Sequence, residues 1–462
     1  MPSKRKDLSR AVPSYFDIFK LVWPIALGMV NSAVMQFVDR AYLARHSMVA
    51  LEAILPATTL AWIFMSFFQS VVGYSGVFVS QYYGAQDNIN TIRSYQAGLL
   101  MALISGLLMF PLIPLGDFIF SLTAASTDIF KLEKSYYNIV IACGFFVFGQ
   151  MAVTSYFTGR GKTRIVFWVS LLGNIINIIV DPILIFGCGG VPEMGIKGAA
   201  YATVGSLIVQ FVILLLLARR DIKSYAIDLK EDFSKLLELI RQILRFGIPS
   251  GAYDVLNMAS FTIFVFITGR VGDVAFAASN ACFTVNYLLY APVMGFAIGA
   301  QTLVGQCCGR GDTDAARIAA KKTLLLGLCF VVASCAAVAL LHKPLLLLFA
   351  PSQLEYRDEF MSVGFLLLIL MGAWMVFDAT DTIVSGALKG AGDTKFVMAW
   401  MFIASFIIWL PVVFIVARFH NTMPALWATM VGYVLVICTG TLIRWKCGKW
   451  KKIVLLGNMS KK

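Results

Sequence analysis

The sequence predicts an all-α membrane protein of twelve transmembrane helices in two pseudo-symmetric six-helix lobes. Composition, the spacing of the apolar runs and an internal repeat carry that prediction. Hydrophobic residues make up 59% of the 462 and charged residues only 14%, against roughly 25% charged in an ordinary soluble domain. Mean hydropathy is +0.80. Apolar stretches recur between short polar breaks at about twenty residues, the length a bilayer core requires. In hydrocarbon each backbone polar group must be satisfied inside its own segment, so these runs are helices and not strands of an open sheet.

In chain order, the expected spans are 18–43, 54–80, 95–120, 136–157, 166–187 and 196–218, then 243–269, 276–305, 323–349, 362–386, 396–417 and 424–443. Pro24, Pro111, Pro182, Pro249, Pro292 and Pro411 fall inside or at the ends of these runs, where kinks are tolerated. Residues 1–218 form the N-lobe, 219–242 a basic cytoplasmic linker, and 243–462 the C-lobe with its basic tail. Within and just beyond the linker, Leu229, Phe233, Leu236, Leu237 and Ile240 recur at helical spacing among charges. That pattern fits a surface amphipathic helix, and equally a plain tether.

A net charge of +13 invites a nucleic-acid reading, but its placement argues otherwise. Lys4, Arg5, Lys6 and Arg10 precede the first span, and Arg160, Lys162 and Arg164 follow the fourth. Further basic clusters lie in the linker, after the eighth and tenth spans, and at Lys446 to Lys452. The alternate loops are poorer in Lys and Arg, as in Glu193 with Lys197. This alternation is the positive-inside pattern; it predicts a multi-pass inner-membrane protein with both termini cytoplasmic, and no nucleic-acid partner. The basic leader runs into the first span with no small-residue cleavage pattern. Three histidines at span ends and nine dispersed cysteines offer no metal-ligand spacing or nucleophile cluster, so neither a metal cofactor nor an enzyme is expected.

The chain is written twice. Trp23-Pro24 near the first span corresponds to Ile248-Pro249 near the seventh. Gln81-Tyr82-Tyr83-Gly84-Ala85-Gln86-Asp87 corresponds, at the same offset, to Gln306-Cys307-Cys308-Gly309-Arg310-Gly311-Asp312. Thr158-Gly159-Arg160-Gly161-Lys162-Thr163 corresponds to Lys389-Gly390-Ala391-Gly392-Asp393-Thr394. An even number of spans per half gives both halves the same orientation, as in carriers whose lobes enclose a central cavity.

Ionisable residues inside a membrane are costly, and each is a functional candidate. Asn174, Asn177 and Asp181 are spaced i, i+3, i+7 and share one helix face; Asp39 lies late in the first span. Two blander assignments stand beside a functional one: an interhelical hydrogen-bond staple, or Asp39 paired with Arg40 or Arg45. In the second half, Asp378 and Asp381 sit i, i+3 with Thr382 beside them, and Asp254 and Asn257 form a similar pair. A sheltered carboxylate can exchange a proton, or hold Na⁺ with amide and hydroxyl oxygens. The 36 Phe and 19 Met suit an adaptable apolar cavity, although ordinary packing and lipid contact account for most of them.

These residues resemble the multidrug and toxic compound extrusion (MATE) family over nearly the whole chain. The likeness rests on Val38-Asp39, Gln81 to Asp87, Gly173 to Pro182, Gly198 to Thr203, Phe246 to Pro249, Val304 to Asp312 and Gly386 to Thr394. It implies a secondary active antiporter that exports organic, often cationic, drugs or toxic compounds in exchange for H⁺ or Na⁺ by alternating access, working as a monomer in the lipid bilayer without a cofactor. By position it implies an N-lobe coupling site of Asp39, Asn177, Asp181 and Thr203, all matched here. Its C-lobe site implies a tenth-span aspartate, matched by Asp378, and a seventh-span glutamate, where this chain has Asn257. Asp254, one turn earlier, could substitute; the departure favours the N-lobe.

The alternative is a lipid-linked-precursor flippase of the same wider superfamily. Such a protein calls for Arg or Lys at mid-membrane, whereas these lie at span ends. A major-facilitator carrier shares the two-lobe plan, but Tyr82 to Asp87 does not match its basic loop motif.

Overall fold

A computed structural model describes residues 12–123, 126–187, 190–223, 225, 233–350, 354–453 and 455–456. Lys4, Arg5, Lys6, Arg10 and Leu229 lie outside them. The described chain is almost wholly helical. Its first half contains α1 (Tyr15–His46), α2 (Met48–Gly73), α3 (Ser75–Gly84), α4 (Asn88–Met109), α5 (Leu112–Thr123), α6 (Thr127–Ala142), α7 (Gly144–Gly159), α8 (Thr163–Phe186) and α9 (Ile196–Lys223). The second half contains α10 (Phe233–Thr268), α11 (Asp273–Gly309), α12 (Thr313–Leu340), α13 (His342–Phe349), α14 (Leu354–Ala391), α15 (Thr394–Phe402), a π-helical stretch (Ile403–Trp409), α16 (Leu410–Phe419) and α17 (Met423–Lys446). Eleven of the described spans are long and apolar enough to cross a membrane, and α6 with α7, bent by 45°, makes a twelfth.

Two spans sit earlier in the chain than the hydropathy predicts. The third is α4, ending at Met109 rather than near 120, and the ninth is α12, ending at Leu340 rather than near 349. Each is followed by a short separate helix, α5 or α13. Their polar first turns hide the helix starts, but Asp87 caps Asn90 and Asp312 caps Ala315 by accepting from the backbone amide. The π-helical stretch precedes Pro411, whose ring clashes with the carbonyl four residues back and displaces the regular hydrogen-bond ladder.

The repeated loop signatures fold into identical turns. Asp87 donates its amide to Tyr82 O and Asp312 to Cys307 O, both at 3.0 Å. The residue before each, Gln86 (φ 60°) or Gly311 (φ 77°), is left-handed. The second pair behaves likewise: Gly161 (φ 74°) and Gly392 (φ 97°) are left-handed. Lys162 and Asp393 then donate back to Phe157 O and Leu388 O at 2.8 and 2.9 Å. These are helix C-caps of one type, so the duplication extends to backbone conformation.

The chain divides into two compact units whose boundaries fall inside helices. The N unit spans Leu27–Gly251, and the C unit joins the stretch ending at Ala26 to Ala252–Leu455. The beginning of α1 thus joins the C unit, and the N unit runs on into α10 as far as Gly251. Small residues accommodate the transferred helix beginnings. In the C unit, a Cβ on Gly295 would lie 2.8 Å from Ala26, and one on Gly299 2.5 Å from Val22. In the N unit, a Cβ on Gly251 would lie 2.8 Å from Phe67 O, while Phe246 stacks on Tyr74. Phe233 to Ile240 is helical at the start of α10, with Phe233 and Leu237 exposed and Ile240 buried.

Candidate functional site

In the N unit, α8 and α9 approach closely because glycines remove the side chains between them. A Cβ on Gly198 would lie 2.6 Å from the Leu184 backbone, and one on Gly173 2.3 Å from Gln210. Between these contacts lies the polar face read from the sequence. Asn177 and Asp181 have no solvent exposure, and Asn174 and Asp39 are also buried. With its side-chain amide turned so that both ends find partners, Asn177 donates through its nitrogen to Asp39 Oδ1 at 2.9 Å and accepts from the Thr203 backbone amide at 3.3 Å. Thr203 therefore joins the site through its main chain. The Asp39 and Asp181 carboxyls come within hydrogen-bonding reach of each other, an approach that two ionised carboxylates resist.

Two polar atoms at this site are buried without a partner: Asp181 Oδ1 and Asn174 Nδ2. A buried carboxyl oxygen without a donor, beside a second carboxyl, is an acceptor position for a proton or a cation. Tyr136, on α6, was not singled out in the sequence; it is buried and within electrostatic reach of both Asp39 and Asp181. One tyrosine among sixteen carries no signal of its own, and only the packing of α6 places it there.

The C unit gathers Asp254, Asp378 and Asp381 around Tyr253 and Tyr290. The Tyr290 hydroxyl lies 2.9 Å from Thr382 Oγ1 and also hydrogen-bonds Asp378. Thr441 donates to Asp381 Oδ1 at 2.7 Å. Asp254 pairs with Lys389 Nζ at 3.3 Å, and that ammonium lies 3.9 Å from the Tyr253 ring centre. Asn257 is exposed. Lys389 reads in the sequence as a topology charge, yet its side chain is mostly buried and supplies the C unit with its own cation. The two units thus differ: carboxyl against carboxyl in one, carboxyl against ammonium in the other.

The MatE family profile matches residues 24–183 and again 249–415. The two matches begin at Pro24 and Pro249, the prolines that pair the halves.

The chain belongs to the MatE family.

MatE proteins are transporters, and the likeness extends over almost the full length. A probable multidrug resistance protein NorM of Thermotoga maritima is 26% identical over 450 residues, covering 95% of this chain and 94% of that one. The uncharacterized transporter YisQ of Bacillus subtilis is 24% identical over 422 residues, covering 89% and 90%. Among solved structures, a MATE in complex with MaD5 superposes with a TM-score of 0.85 at 20% identity, covering 98% of this chain and 100% of that one. An outward-facing multidrug resistance MATE family transporter of the MOP superfamily gives 0.83 at 19%, covering 96% and 98%. These superpositions establish a MatE fold for a multi-pass membrane protein.

Proposed function

We propose that this MatE chain is a secondary active antiporter of the cytoplasmic membrane, exporting organic, often cationic, amphiphiles in exchange for H⁺ or Na⁺. Both termini face the cytoplasm, so the His46 end of α1 faces outward. The observation that carries the reading is the buried Asp39–Asp181 pair, two carboxyls side by side with Asn177 against Asp39 and Asp181 Oδ1 without a hydrogen-bond donor. Ionising both carboxyls at once would leave two like charges in a low-dielectric site, which costs far more than in water. The site therefore takes up an external proton or Na⁺, with Asn177 holding Asp39 in place. Na⁺ is small enough to be bound by carboxyl and amide oxygens together. Exchange follows if coupling-cation occupancy and drug occupancy favour different access states, because a ligand shifts such an equilibrium only by its differential affinity. The names of the NorM relatives, which specify multidrug resistance, support the substrate class.

The test uses right-side-out vesicles from a pump-deficient host loaded with a fluorescent organic cation. Addition of H⁺ or Na⁺ releases the dye from vesicles carrying the parent chain, and Asp39→Asn or Asp181→Asn abolishes the release. Undiminished exchange in both variants overturns the coupling assignment. A sodium-free pH series separates the two ions.

A further inference from the structure

The second half of α1 carries Asp39 but is loosely seated in the N unit. Between Leu27 and His46, only Asp39 and Leu43 are buried. Its position relative to Asp181 is therefore set by a few specific contacts. Asp39, Tyr42 and His46 are spaced i, i+3, i+7 and share one face of α1. Asp39 meets Asn177 and Asp181. One turn on, the Tyr42 ring packs edge-on against Phe186, with centroids 6.4 Å apart. At the helix end His46 lies 5.8 Å from the same Phe186 ring, and its Nε2 is 2.8 Å from Glu193 Oε1. A carboxylate only accepts, so Nε2–H is the donor.

The segment bearing Glu193 is built to hold that side chain still. α8 ends at Gly187, left-handed at φ 74°, with its amide bonded to Ile183 O. The chain returns so that Met194 and Gly195 donate to Leu184 O and Ile185 O at 3.0 and 3.2 Å. The fold is tight: a Cβ on Gly187 would lie 2.7 Å from the Glu193 amide nitrogen, and one on Gly195 3.1 Å from His46 Cε1. The strap is thus clamped to the last turn of α8, the helix that carries Asp181, and the His46 ring is seated against it. Glu193 consequently fixes α1 to α8 one turn beyond the Tyr42–Phe186 contact.

We propose that His46 and Glu193 are positioning residues of the coupling site. Their hydrogen bond holds the far end of α1 so that Asp39 stays within reach of Asp181 and Asn177, and thereby sets the affinity of the site for the coupling cation. The proposal rests on the antiport reading and adds the pair that tunes it. Because the carboxylate is largely exposed, its contact carries a modest energy, equivalent to about a two- to five-fold change in an equilibrium constant.

The experiment measures cation-driven dye release in proteoliposomes, separating the apparent KM for the coupling cation from the maximal rate. His46→Leu and Glu193→Ala each raise KM about two- to five-fold with the maximal rate nearly unchanged. The double variant is no worse than either single one, since both remove one contact. His46→Gln, which keeps an N–H donor, restores the parent KM. Unchanged KM in both single variants, additive losses in the double, or a fall in maximal rate alone overturns the proposal. If the parent shows no cation-driven release, the antiport reading fails first. The latch is then read without transport, by labelling purified protein with a water-soluble carbodiimide and quantifying Asp39 by mass spectrometry. Labelling rises in His46→Leu and Glu193→Ala if the latch positions Asp39, and equal labelling in parent and variants overturns it.

Discussion

Lys162 and Asp393 occupy the same position in the two repeats, directly after a left-handed glycine and at the start of the next helix, yet they carry opposite charge. Each is paired to the last spanning helix of its own unit, again with opposite polarity. Lys162, with Arg160, contacts Asp221 near the end of α9. Asp393 accepts from Arg444 Nε and Nη2 at 2.6 and 3.1 Å near the end of α17. The junction was kept while its charges were exchanged, so the requirement lies in the closed pair and not in either sign.

That relationship predicts the outcome of charge exchange. Asp393 is buried and makes no side-chain cap to its own helix, so its carboxylate is committed to Arg444. Arg444→Met strands the buried Asp393 carboxylate and destabilises the chain by about 2–4 kcal/mol, lowering the midpoint of thermal aggregation in detergent, and Asp393→Asn, which leaves the partly exposed Arg444, costs less. Asp393→Lys combined with Arg444→Asp copies the N unit and recovers part of that loss. Recovery stays incomplete because a cation at a helix N-terminus opposes the helix dipole. A double variant no more stable than the worse single one contradicts the exchange argument.

A second expectation concerns the seam that positions the N-unit site. A methyl on Gly198 would lie 2.6 Å from the Leu184 backbone, whereas nothing lies within 4 Å of one on Gly205 in the same helix. Gly198→Ala pushes α9 off α8, costs about 1–3 kcal/mol, and separates the Thr203 amide from Asn177. Gly205→Ala meets no such obstacle and gains about 0.5–1 kcal/mol from helix propensity. Melting curves of the two variants should move in opposite directions; movement in the same direction counts against close packing as the cause.

Much of this arrangement was legible in the sequence, for physical reasons particular to each residue. Left-handed turns demand residues that tolerate positive φ, so Gly161 and Gly392 marked a shared turn. The matched Gly84 and Gly309 located the other loop, but the left-handed residues there are Gln86 and Gly311. Asn174, Asn177 and Asp181 were readable because three polar groups on one face stand out against hydrocarbon. Tyr136 and Lys389 were not: a tyrosine is at home in packing, and a lysine near a helix end counts toward topology. The boundaries at Ala26 and Gly251 were hidden too, because they depend on which neighbour accepts a helix and not on its hydropathy.

The C unit carries its own cation, and its variants should behave differently from those of the N unit. Lys389→Met removes the ammonium paired with Asp254, while Asp254→Asn removes one carboxylate from a mostly buried ammonium that Asp381 also faces. Each single change lowers the amount of folded protein recovered from membranes, and the double change restores it, since removing both charges also removes the desolvation cost. Dye exchange by the double variant stays within about two-fold of the parent per molecule if the pair is structural. Loss of exchange in a well-folded double variant gives the pair a part in transport.

The last expectation separates two residues the sequence grouped together. Asn177 donates to Asp39 through its side chain, whereas Thr203 reaches Asn177 only through its backbone amide. Thr203→Ala therefore keeps the contact, and exchange remains within about two-fold of the parent. Asn177→Leu has similar volume but leaves a buried carboxyl short of a donor, a loss of about 1–3 kcal/mol at the site. Cation-driven exchange per folded molecule then falls by about ten- to a hundred-fold, and the melting temperature falls with the unsatisfied carboxyl. Asn177→Asp places a third carboxyl against Asp39 and Asp181 and should fail at neutral external pH, with partial recovery at low pH, where a protonated carboxyl again supplies the one donor and one acceptor used here. Parent-like exchange in Asn177→Leu would remove Asn177 from the coupling site, and a Thr203→Ala defect as deep as that of Asn177→Leu would mean that the threonine hydroxyl is used during turnover.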